Sequence, residues 1–142
     1  MYKNYIFNLV LILILALCIC IYWNGLHGNF LFDDYPNLED LGVYGVIDSW
    51  DKARAFVSNG FAGPTGRPIA LASFLIDANT WPANPFFFKY TNLMIHLLNG
   101  VLLYWALLLL LKNYDYKKDK VIWVALLASS IWLLHPYFVS TT

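Results

Sequence analysis

From Ile6 to Ile21 the chain reads IFNLVLILILALCICI, apolar throughout except for Asn8. No other feature limits its folding as strongly. With Tyr5, Tyr22 and Trp23 beside it, the run approaches the ~17–20 residues of a bilayer-crossing helix and places aromatic rings where headgroups meet hydrocarbon. A cleaved signal peptide competes with this, because Lys3 supplies a thin basic start. The run ends without an A-x-A-like small-residue site, which favours a retained helix. Composition agrees: 60% of the 142 residues are hydrophobic and 13% charged, where soluble domains are about 45–50% apolar.

Two further spans follow. One runs over about 89–111 and ends in VLLYWALLLLL; the other covers about 119–135 and stops at His135-Pro136, since proline cannot donate to the helix ladder. The strictly apolar part of the last is short, about 21 Å at ~1.5 Å per residue. It must therefore borrow residues at its ends, thin the bilayer or be partly re-entrant. Lys112, Lys117, Lys118 and Lys120 crowd the linker between these spans, and Lys3 precedes the first. Basic residues stay cytoplasmic, so the N-terminus is expected inside and segment 24–88 on the extracytoplasmic face. That segment is rich in acids: Asp33, Asp34, Glu39, Asp40, Asp48, Asp51 and Asp77.

A connection this long should carry structure. Val46, Trp50, Ala53 and Val57 recur at helical spacing with charges between them, an amphipathic pattern suited to the interface. A second helix is expected over 67–79, opened by Pro68 in its first turn. SNGFAGPTG and WPANP read as breaks. The fold expected is an all-α membrane domain over 1–142, with three spans (about 5–23, 89–111 and 119–135) and short interfacial helices in a long first outer loop.

Several classes fall away. A net charge of zero and the lack of a basic, aromatic-interleaved tract exclude a nucleic-acid groove. Cys18 and Cys20 lie inside the first span, and His27, His96 and His135 are scattered singly, so no metal-ligand spacing is present. Nor is there a hydrolase elbow, Walker loop or dinucleotide fingerprint.

The chemistry-bearing candidates lie elsewhere. Asp33 and Asp34 adjoin each other among aromatics; paired acids beside low-dielectric surroundings suit a general base, a cation or, more plainly, a capped turn. Arg67 follows a flexible Gly-Pro-Thr-Gly and could grip a phosphate with two N–H groups or pair with Asp77. Asn92, His96 and Asn99 share a helix face, for interhelical hydrogen bonds or phosphate contact. Lys89 could draw a lipid phosphate or snorkel to headgroups. His135 either marks a helix stop or reaches acid or phosphate.

In this order FLFDDYPNL, AGPTGRPIALASF, FKYTNLMIHLLNGVLLYWAL and WLLHPYFVSTT resemble the N-terminal part of multispanning GT-C glycosyltransferases. The likeness is to bacterial enzymes of the pilin-glycosyltransferase kind and to transmembrane-plus-tetratricopeptide O-mannosyltransferases, with protein O-mannosyltransferases more distant. The resemblance implies transfer of a sugar from a polyprenyl-phosphate donor to an extracytoplasmic protein or lipid hydroxyl, in a bacterial inner membrane. In it Asp33 is the base, Asp34 its neighbour, and Arg67, Lys89, His96 and His135 are donor-phosphate candidates, Arg67 foremost. The residues establish no cofactor; a divalent cation beside the Asp pair stays open. Such enzymes carry many more spans, so the expectation is the front portion of a larger fold. The alternative is a noncatalytic small membrane protein, an assembly partner or lipid-carrier binder.

Overall fold

The computed structural model describes residues 2–32, 34–43, 45–61, 66–114 and 116–135. Among them all regular structure is helical: α1 (Tyr2–Tyr22), a 3-10 turn (Trp23–His27), α2 (Asp34–Leu38), α3 (Asp40–Val43), α4 (Trp50–Asn59), α5 (Pro68–Asp77), α6 (Pro85–Leu111) and α7 (Lys118–Leu133). Two apolar stretches, Tyr5–His27 and Pro85–Leu111, are long enough to cross a membrane, and 17% of each is buried within the chain. The core helix of a soluble domain would be mostly covered. Here Ile6, Leu9, Ile12, Leu13 and Leu17 of α1 all stand exposed.

Local chemistry sets the ends of the elements. α6 begins at Pro85, a turn earlier than the span read from the sequence, because Asn84 caps it: its Oδ1 accepts the Phe86 N–H at 3.0 Å, and Pro85 occupies the first helical position, where a missing N–H costs nothing. α7 has 16 residues, about 24 Å at ~1.5 Å each.

The chain divides into two compact units, Met1–Gly25 with Asn92–Thr142, and Leu26–Thr91. In the first, Phe7, Ile122 and Leu126 form a core joined by Ile14, Tyr104 and Leu108, and Phe7 meets Trp123 edge-on at 5.3 Å. Gly100 lets α6 approach α7. A Cβ there would fall 2.4 Å from Leu133 Cδ2, and Leu133 is itself fully buried.

In the second unit Leu38, Leu41, Ile47, Phe56, Leu71 and Phe88 form the core. The helix expected near 46–57 exists as α4, though Val46 falls outside it. Ala53, Phe56 and Val57 pack inward, while Trp50 is 76% exposed and Val46 50%. The reason is the late start of α4. Lys52 Nζ donates to the Val46 carbonyl at 2.8 Å and to Asp48 at 2.9 Å, holding residues 46–48 outside the helix. α5 buries Leu71 yet leaves Ile69 and Ile76 exposed, so it is apolar on two faces.

Candidate functional site

The acidic turn is built from the inside out. Phe30 anchors it, packing against Trp81 at 5.2 Å and Phe88 at 5.8 Å. Leu31 and Asp34 then bond reciprocally: the Asp34 N–H donates to the Leu31 carbonyl at 2.9 Å, and the Leu31 N–H donates to Asp34 Oδ2 at 2.7 Å. Asp34, the first residue of α2, thus closes the turn that leads into that helix. Between them Phe32 has φ +39 and is 89% exposed, a left-handed backbone that costs a bulky residue about 1 kcal/mol or more. Asp33, the foremost base candidate, lies outside the described residues.

Arg67 sits at the N-cap of α5, after Gly66 at φ +66, a conformation that favours glycine. Its side chain is exposed and makes no ion pair among the described residues. The pairing with Asp77 allowed by the sequence is not formed. Asp77 instead accepts from the Thr91 hydroxyl at 2.5 Å; burial pushes its carboxyl above the ordinary value, and the Thr91 bond partly offsets this. Asp34 and Arg67 form no ion pair with each other. Lys89, on the first turns of α6, is half-buried.

His96 belongs to the other unit and is buried. Its Nε2 lies 3.0 Å from the Leu133 carbonyl, an acceptor only, so Nε2 carries the hydrogen. The Tyr22 hydroxyl donates to the same oxygen at 2.8 Å, and Cys18 Sγ approaches it at 3.7 Å. The cause lies at the end of α7, whose last carbonyls have no intrahelical donor. A bare carbonyl in an apolar surround costs several kcal/mol. His96 also stacks on Trp132 at 4.7 Å. The packed stripe of α6 is Leu93, His96 and Gly100, and Asn92 and Asn99, expected to share the His96 face, flank it exposed. His135 follows α7, exposed, its backbone N–H turned to the Trp132 carbonyl at 3.4 Å, the helix-stop geometry.

Two features had no place in the sequence reading. The Asp77–Thr91 pair joins residues 14 apart, with no periodic signal to reveal it. The Tyr22–His96 convergence had one available clue: a helix ended by His-Pro leaves carbonyls wanting donors. Among the described residues no three His, Cys, Asp or Glu side chains gather as metal ligands. Compared with protein-family models, curated proteins and solved structures, the chain finds no match in any of the three.

Proposed function

We propose that this chain is the front of a membrane glycosyltransferase of the GT-C kind, transferring a sugar from a polyprenyl phosphate to an extracytoplasmic hydroxyl. Three spans, α1, α6 and α7, cross the bilayer with the N-terminus and the lysine-rich linker inside, leaving α2 to α5 outside. α7 serves as the short third span, its packing on α1 compensating for its length. Asp33 takes the acceptor proton and Arg67 receives the departing phosphate charge.

The observation that carries this reading is Arg67. An exposed guanidinium after a glycine turn, without an ion-pair partner among the described residues, is available to an anion from solution. His96, satisfied by the Leu133 carbonyl, drops behind it as a phosphate ligand. A second reading has one observation in its favour. Asn92 and Asn99 stand exposed on an apolar helix, which suits hydrogen bonding to a separate membrane helix and so a noncatalytic assembly partner.

The test is sugar transfer from a polyprenyl-phosphate-sugar pool to an extracytoplasmic acceptor, in membranes containing the chain alone or supplemented with downstream spans of such an enzyme. Transfer lost on Asp33→Asn supports the proposal. No transfer under either condition overturns it and leaves the assembly partner.

A further inference from the structure

A cavity of about 700 Å³ lies in the unit formed by α1, the later part of α6, and α7. Its walls are apolar, with Phe7, Leu108 and Ile122 contributing. Four polar groups also face it: Asn8 from α1, Tyr104 from α6, Lys112 just after α6 and Lys118 at the start of α7. The linker between α6 and α7 supplies Tyr114 and Tyr116, stacked at 6.1 Å, and Lys120 sits 4.8 Å over the Tyr116 ring.

We infer that this cleft binds one anionic phospholipid, its phosphate at Lys112 and Lys118 and its acyl chain along the Phe7–Leu108–Ile122 wall. Its volume is that of a ligand cleft, about 300–1,000 Å³, enough to seat part of a lipid while the rest lies in the bilayer. Charge fits as well. From Lys112 to Lys120 the chain carries four lysines against Asp115 and Asp119, and basic pockets between helices on the cytoplasmic side select anionic headgroups. Asn8 is the one polar residue between Ile6 and Cys18. Polar side chains within a span face the bundle or a cavity, and Asn8 lines this one. A zwitterionic lipid would fill the same wall without using both lysines, so the headgroup charge is what the site reads.

The inference rests on the membrane topology proposed above and is independent of glycosyl transfer. It is tested by native mass spectrometry of the detergent-purified chain with phosphatidylglycerol or phosphatidylcholine at equal concentration. Lys112→Gln and Lys118→Gln should each lower phosphatidylglycerol retention about fivefold, the worth of one lysine near a membrane surface. Lys117→Gln, the same charge change one residue from Lys118 but off the cleft, should leave retention within about twofold. Asn8→Trp, which fills the cleft without touching charge, should abolish the preference. An equal loss with Lys117→Gln would mean diffuse attraction and overturn the site, as would equal retention of the two lipids by the unaltered chain. Failure of the topology shows separately, as release of the chain from membranes by a carbonate wash.

Discussion

The polar groups around Leu133 and those of the 31–77 segment face opposite demands. Around Leu133, Tyr22 and His96 both donate to one backbone oxygen, and the cluster is buried. In the loop, Phe32 is strained and outward and Arg67 is exposed. Tyr22 and His96 are taken up by the Leu133 carbonyl, because an unmet carbonyl in an apolar surround is costly. In the loop Asp34, Asp77 and Lys52 are bonded within the protein as well, while Arg67 stands in water with no ion pair among the described residues. A histidine held by a backbone carbonyl, as His96 is, is therefore weaker evidence of chemistry than an exposed arginine with no ion pair among the described residues.

Four substitutions can break or sharpen this contrast. The largest effect is expected from Asp33→Asn, which should cut sugar transfer about 10²–10⁴-fold, the usual worth of a general base, with thermal unfolding unmoved. Arg67→Gln should lower transfer about 10²–10³-fold by removing charge stabilisation at the leaving phosphate, again without a stability cost. On the buried side, Gly100→Ala should destabilise the chain by about 1–3 kcal/mol through overpacking against Leu133, read by denaturation in detergent. Tyr22→Phe should cost about 1 kcal/mol, one hydrogen bond with His96 still in place.

The smallest expected effect is on pH dependence. Asp77 has its folded pKa raised by burial. Its contribution is fully present at pH below the ordinary carboxylate value and is lost as pH rises through the elevated one. Stability should therefore slope downward across that interval, and Asp77→Asn should flatten the slope while keeping an acceptor for Thr91. Asp48 has the opposite sign: its hydrogen bond and ion pair with Lys52 hold its pKa down, so any contribution is lost as pH falls through the lowered value. Its full exposure makes that loss slight.

The helices of this fold were legible because their causes are local. Apolar length revealed α1 and α6, Pro68 marked the start of α5, and Asp34 before Tyr-Pro-Asn foretold a helix start. Asn84-Pro85 carried a cap signal that a reading of WPANP as a plain break passed over. The contacts were not legible. Tyr22 looked like an interfacial anchor because its partner is 111 residues away, and Val46 looked helical because spacing alone cannot show that α4 starts at Trp50. For the candidate site, spacing identified Arg67 as a cation beside a turn but left open whether Asp77 would claim it; α5, with Arg67 at its N-cap and Asp77 at its last residue, holds the two about 15 Å apart.

The central claim is that Arg67, and not His96, meets the donor phosphate. It is tested most directly by measuring polyprenyl phosphate affinity and thermal unfolding together for Arg67→Gln and His96→Leu. Affinity should fall at least about tenfold in Arg67→Gln with unchanged unfolding, and the unfolding temperature should fall with unchanged affinity in His96→Leu. Affinity lost in His96→Leu and retained in Arg67→Gln would contradict it.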